Sequence, residues 1–282
     1  MIVSPGAEKR LMEFSGKELL EIFFQEGILL FRGFQISPSI FSDFVRKNTS
    51  RISIDPAREF TSDRTQLVDA GYDPVGLHVE NGTTPFLPSC LWFFCEKAAL
   101  KGSETTYCDG KEIWEHLSLS TKKLFIDYKI TYKRTVSEQI WKKYLAIELN
   151  INDINQITSV DLIRVADEVP GLSVSLNLDL SVTMEYTVSA VRPTQFPGQF
   201  VFANSILGPS YNYEKPLICF ENGEMIPDNV LEELKEVSSS LTKNIKWKDN
   251  DLVIIDNTRF MHGRLAIEDK NRRLHIAMGH LL

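Results

Sequence analysis

The sequence predicts a mainly β fold, a sandwich or jelly roll with flanking helices. Three observations carry this. Strand-like runs are separated by irregular connections instead of regularly alternating helices. Helical periods are gathered in the first third and at a few later points. No internal repeat, low-complexity tract or Pro/Gly-rich linker divides the 282 residues, and all-β folds reach that size undivided, so one domain over 1–282 is expected. With 43% hydrophobic and 24% charged residues the chain has the composition to bury a sizeable core.

The elements follow in order. Ser15-Gly16-Lys17-Glu18 has the form of a capping box ahead of Leu19, Leu20, Ile22 and Phe23, and Gly27 is placed to end that helix. Ile28-Leu29-Leu30-Phe31-Arg32 is a short apolar strand closed by Gly33. Ser37-Pro38 offers an N-cap and a first-turn proline for a helix through Phe44 and Val45. From about Leu77 the pattern turns to β: Cys90 to Cys95 and Glu104 to Cys108 flank a polar turn at Lys101-Gly102. Asp109 with Glu112 starts a helix containing Trp114 and Leu117. The mixed stretch 134–180 is expected to be an insertion or lid over one mouth of the fold. Val182 to Val191, Phe200 to Ala203, Leu252 to Ile255 and Arg273 to Met278 are strand-like, interrupted by a helix from Asp228 through Leu231 and Leu234.

A net charge of -7 with scattered basic residues argues against a nucleic-acid partner. The start Met1-Ile2-Val3-Ser4-Pro5-Gly6 lacks a basic, apolar leader, and no apolar run approaches a membrane span, so a cytoplasmic protein acting on a small molecule is expected. Homo-oligomerisation stays open. Cys90, Cys95, Cys108 and Cys219 are too few and irregular for a disulfide framework and are expected as buried thiols.

Chemistry enters at His78-Val79-Glu80. In an extended segment residues i and i+2 share a face, so the imidazole and the carboxylate can grip one ion. HxE alone is weak; in most proteins it is a solvated strand. His262, one of only five histidines, follows the strand Leu252 to Asp256 and is a natural third ligand. Two histidines and one carboxylate on one face leave adjacent coordination positions open, which suits ferrous iron that must take a co-substrate and dioxygen together. Arg273, eleven residues beyond His262, is placed to hold a carboxylate in a bidentate pair.

This ordered set resembles the taurine dioxygenase superfamily, and within it the branch of clavaminate synthase, amino-acid hydroxylases and isocyanide-precursor oxygenases. His78-Val79-Glu80 is followed by Pro85 and Pro88, then Gly102-Ser103-Glu104-Thr105, then His262 and Arg273, while Gly27 to Phe34 resembles the family's N-terminal strand. The resemblance implies a double-stranded β-helix, Fe(II) held by His78, Glu80 and His262, dioxygen, and 2-oxoglutarate with its C5 carboxylate on Thr105 and Arg273. Ser103 stands where the family has a second glycine, tolerable where that position is not left-handed. Glu80 replaces the commoner Asp and fills the coordination site that halogenases leave to chloride, so hydroxylation, desaturation or related C–H oxidation is implied. Ala277 stands where sulfonate-binding members carry arginine, which argues against taurine. Val79, Asn81, Phe86, Phe202, Asn204 and His275 are candidate substrate contacts by position, each with an ordinary packing role as its alternative.

Two other classes use the same features. A zinc hydrolase would employ the same three ligands, and a non-catalytic jelly-roll binding protein would keep the fold alone.

Overall fold

The computed structural model describes residues 1–5, 11–14, 16–55, 58–68, 71–193, 199–208 and 214–281. Two sheets face one another. The larger runs in spatial order Ile2–Val3, Ile28–Phe31, Leu252–Asp256, Cys90–Lys97, Arg273–Leu281, Thr49–Ser53, with Gln66–Leu67 also paired to Arg273–Leu281. The smaller runs Lys243–Ile245, Thr105–Asp109, Phe260–Arg264, Val75–His78, antiparallel throughout. Between them lie Leu91, Phe93, Val253, Ile255, Leu274, Ile276 and Met278 from the larger sheet, with Ile245 and Phe260 from the smaller side.

The other face of the same central strands is also covered. Cys90, Trp92, Phe94, Leu252, Ile254 and Ala277 pack with Leu19 and Phe23 of the helix Gly16–Glu26 and with Phe41, Phe44 and Val45 of the helix Pro38–Asn48. Burial on both faces is why Cys90 to Cys95 and Leu252 to Ile255 are continuous apolar runs instead of alternating ones. Each such Leu or Phe contributes about 1.5–3 kcal/mol of transfer free energy.

The local signals hold where the chemistry is local. Gly27 has φ +71° and its N–H closes on the Phe23 carbonyl at 2.7 Å. Ser37 Oγ accepts from the Ile40 N–H at 3.3 Å, and Asp109 caps the helix Gly110–His116 through the Lys111 N–H. Ser15 of the expected capping box lies outside the described residues. The strand expected over Phe200 to Ala203 is only Phe200–Val201, and that expected over Val182 to Val191 ends at Val188. The four cysteines are free and buried.

The stretch 134–180 shares a four-stranded sheet with residues on either side of it. Its sheet runs Leu217–Phe220, Ile130–Val136, Val182–Val188, Leu172–Leu176, and the helices Glu138–Glu148 and Ser159–Glu168 pack on it through Trp141, Leu145, Ile157, Leu162, Val165 and Val182. That cluster lies on one side of the sheet, while Ile130, Tyr132 and Phe220 of the same sheet pack with Cys108 and Met261 of the smaller facing sheet. No described helix is long and apolar enough to cross a membrane.

Candidate active site

His78 ends the strand Val75–His78, and His262 is the central residue of Phe260–Arg264; the two are direct partners in the antiparallel ladder. His262 therefore stands in a strand of its own beyond Leu252–Asp256. Its segment, Phe260-Met261-His262-Gly263-Arg264, is buried throughout, so it shows no period-two alternation by which to recognise a strand. Gly263 lets the two strands close: a Cβ there would sit 2.5 Å from the Val75 carbonyl oxygen.

Glu80 lies beyond the end of its strand, in a turn whose next residue, Asn81, has φ +56°. Strand alternation therefore does not aim it. Asn257 does: its Oδ1 accepts from the Glu80 N–H at 2.8 Å, and its Nδ2 donates to the Glu80 and Pro88 carbonyls at 3.1 and 2.8 Å. Nothing in the sequence pattern marks this fully buried amide.

The result is a compact donor set. One ligand atom from each of His78, Glu80 and His262 lies within 4.8 Å of the others. Glu80 Oε2 is 3.8 Å from His78 Nε2 and 3.4 Å from His262 Nε2, and it is buried with no hydrogen-bond partner. An anionic oxygen in that state is costly unless a cation completes it. His78 Nδ1–H donates to the Gly76 carbonyl at 2.9 Å, which leaves Nε2 with its lone pair toward Glu80.

Arg58 reaches the other oxygen, Glu80 Oε1, at 3.0 Å, and Asp55 Oδ2 at 3.3 Å. Burial by itself raises the Glu80 carboxyl, but Arg58 and the two imidazoles outweigh it and hold the group well below the usual carboxylate range. Burial, with His78 beside it, brings His262 down to about 4 against the pull of Glu80. Near neutral pH the site thus presents an ionised carboxylate and a neutral imidazole, the protonation states that metal binding requires.

The donors open into a cavity with about 890 Å³ of space unfilled by protein, its mouth included. Thr105, Arg264 and Arg272 line one part of it. Trp247 Nε1–H donates to Thr105 Oγ1 at 3.0 Å, orienting that hydroxyl. Arg264 donates to the Gly71 and Asp73 carbonyls at 3.2 and 2.7 Å, and Arg272 to the Val68 carbonyl at 3.1 Å. Burial and the neighbouring Arg264 bring Arg272 down to about 10.

Several expected site residues lie elsewhere. Arg273 is exposed and pairs with Glu96 at 2.9 Å, outside the cavity. The physical reason is strand parity. Leu274, Ile276 and Met278 face the interior between the sheets, so residues 273, 275 and 277 face the helices, and a register shift at Arg273/Leu274 marks where the strand begins. The even face extended backward arrives at Arg272. His275 follows the same parity: it is 2% exposed, stacks on Phe94 and bonds Glu96 and Thr61 away from the metal donors. Phe202 packs on Phe125 in the core, and Asn204 bonds the Ala190 carbonyl and the Ile206 N–H. Val79 and Asn81 do line the cavity, while Phe86 lines a neighbouring one. Ser103 has φ +65°, so the left-handed conformation is required there after all, and a non-glycine residue adopts it.

Comparison with known proteins agrees with this architecture. A family model described as taurine catabolism dioxygenase TauD, TfdA family matches residues 6–278. The dapdiamide synthesis protein DdaC of Enterobacter agglomerans is 23% identical over 94% of this chain and 85% of its own length. A solved structure of PvcB from Pseudomonas aeruginosa superposes over 99% of this chain and 85% of that one, with 13% identity and a TM-score of 0.64. A second PvcB structure, described as an Fe, alpha-ketoglutarate dependent oxygenase from an isonitrile synthetic pathway, gives 13% identity and a TM-score of 0.63 over the same shares. At such identities the structural likeness is one of fold, the jelly roll.

Proposed function

The chain belongs to the taurine catabolism dioxygenase TauD, TfdA family, and we propose from that premise that it is an iron(II)- and 2-oxoglutarate-dependent oxygenase of a small specialised-metabolite precursor. The observation that carries the reading is the buried, unpartnered Glu80 Oε2 between two imidazole nitrogens. Two imidazoles and one carboxylate fit ferrous iron with open positions.

When bound, the iron supplies the redox chemistry that couples loss of carbon dioxide from 2-oxoglutarate to oxidation of a substrate C–H bond by dioxygen. For hydroxylation the balance is substrate, dioxygen and 2-oxoglutarate giving hydroxylated substrate, succinate and carbon dioxide. This chain's residues bind and position. His78, Glu80 and His262 hold the metal; Gly76 and Asn257 fix two of those donors, and Arg58 keeps Glu80 ionised. Thr105 and Arg272, with Arg264 beside them, form the carboxylate site for 2-oxoglutarate, a role that sequence spacing had assigned to Arg273. Phe93, Val68 and Leu274 wall the cavity with apolar surface, which limits water at the reacting centre.

The DdaC and PvcB likenesses support a precursor of specialised metabolism as the substrate. Anaerobic titration with ferrous ion and 2-oxoglutarate, followed by succinate release on adding oxygen, tests the reading. One ferrous ion per chain and oxygen-dependent succinate are expected. Zinc content without succinate would replace the proposal by a hydrolase, and absence of any bound metal by a binding protein.

A further inference from the structure

Buried amides hold both ends of the contact between Glu80 and Arg58. Asn257 takes up the backbone of Glu80. On the other end stands Gln66, which is 2% exposed. Its Oε1 accepts from the Asp55 N–H at 3.0 Å, and its Nε2 donates to the Asp55 carbonyl at 2.8 Å and to the Arg58 carbonyl at 3.3 Å. The Arg58 N–H also closes on the Asp55 carbonyl at 3.1 Å, so one side chain gathers the backbone at both ends of a turn. The backbone of Gln66 is itself fixed, paired with Ile276 of the central strand Arg273–Leu281 and bridged to Phe60. Nothing in the mechanism above uses this amide.

We propose that Gln66 is a positioning residue of the metal centre: it aims Arg58 at Glu80 Oε1 and thereby turns Oε2 toward the two imidazoles as the oxygen offered to the ion. This rests on the metal-site part of the oxygenase reading and adds a residue to it.

The inference follows from how a carboxylate can turn. Glu80 has two equivalent oxygens, and because its strand has ended, strand geometry does not choose between them. Arg58 Nη2 takes Oε1 at 3.0 Å, which leaves Oε2 at 3.8 and 3.4 Å from the Nε2 atoms of His78 and His262. A guanidinium makes that choice only from a fixed starting point, since a long side chain on a loose backbone gives up conformational freedom to hold one contact. Gln66 supplies the fixed point. Both ends of its amide are used, and its two bonds to Asp55 are buried, where leaving a polar group unmatched is costly. Asp55 Oδ2, 3.3 Å from Arg58 Nε, comes from the same gathered turn, so the carboxylate beside the guanidinium is registered by the same amide. The tip of the segment is held differently: Thr61 Oγ1 lies 3.1 Å from His275 Nδ1 and 2.9 Å from Thr65 Oγ1, and these bonds touch neither Asp55 nor Arg58. Aiming Arg58 and tethering its segment are therefore separable by substitution.

The test is a double-mutant cycle on the full chain, with the manganese(II) dissociation constant read from the electron paramagnetic resonance signal of the free ion. Gln66→Met, similar in volume but unable to bond the backbone, is expected to weaken the metal about 10-fold in the wild-type background. In the Arg58→Ala background the same substitution is expected to change it by less than about twofold, because the amide acts only through that arginine. Thr61→Val, which loosens the tip of the segment, is expected to stay within about twofold of wild type. Equal losses in both backgrounds, an unaltered constant for Gln66→Met, or an equally large loss for Thr61→Val overturns the proposal, since each reduces Gln66 to holding the fold. Gln66→Asn, which keeps a buried amide but draws it back by one carbon, goes through the same cycle if Gln66→Met does not fold. A wild-type chain that binds metal but releases no succinate overturns the oxygenase reading and leaves the role of Gln66 standing; a wild-type chain that binds no metal overturns both.

Discussion

The two sides of the metal cavity are built in opposite ways. On the jelly-roll side, His78 and His262 meet by pairing strands far apart in the chain, Arg264 pairs opposite Thr105 on the next strand, and Arg272 immediately precedes the strand Arg273–Leu281. On the other side, Arg134 and Tyr144 belong to a unit packed partly on a cluster of its own around Trp141 and Leu162, and partly, through Ile130, Tyr132 and Phe220, on Cys108 and Met261 of the jelly roll. The difference teaches where change is tolerated. Donors fixed by long-range pairing move only if the sheets move, whereas walls built on the Trp141 cluster pack apart from the donor strands and are expected to tolerate repacking best.

Breaking the paired side should have the largest effect. His262→Ala is expected to bring ferrous binding and succinate release to background while circular dichroism stays native; retained turnover in that variant contradicts the assignment of the metal ligands. Arg58→Ala keeps all three donors but frees the Glu80 carboxylate, and metal affinity measured by anaerobic titration should fall by about 10- to 100-fold. An unaltered dissociation constant would show that Arg58 has only a packing role.

Parity along one strand sharpens the comparison further. Arg272→Ala should raise the KM for 2-oxoglutarate about 10-fold or more, the consequence of losing a charged contact of roughly 1.5–3 kcal/mol. Arg273→Ala, whose side chain points to Glu96, should change it by less than about twofold; the reverse result would return the role to Arg273. The smallest effect on the metal is expected from the inserted side. Ile157→Ala, in the separate cluster, should cost about 2–5 kcal/mol of stability in denaturant unfolding, yet leave the metal dissociation constant within about twofold. A large loss of metal affinity would mean that the two sides are not independent.

Legibility differed by the kind of signal. Helix ends at Gly27, Ser37 and Asp109 were readable because caps are local hydrogen-bond chemistry. The candidate metal ligands His78, Glu80 and His262 were legible from the HxE pair taken with a later histidine and the ordered motifs around them, and the structure brings their ligand atoms within 4.8 Å of one another. Asn257, Arg58 and Gln66 were not, since two amides and a guanidinium carry no periodic or spacing signal and gain their roles only from what they touch. Arg273 was misplaced because an offset of eleven residues says nothing about which face a strand turns inward, and Arg272 stands one residue away.

Composition, strand-like runs and motif order determined by themselves a mainly β chain with two imidazoles and a carboxylate available to one ion. The tertiary structure decided which arginine enters the cavity, how Glu80 is aimed once its strand has ended, and which buried amides bond the backbone of Glu80 and of Arg58. The reason is that side-chain type and short-range hydrogen bonding are written along the chain, while strand parity, the approach of distant strands and the space enclosed between units exist only after the whole chain has packed.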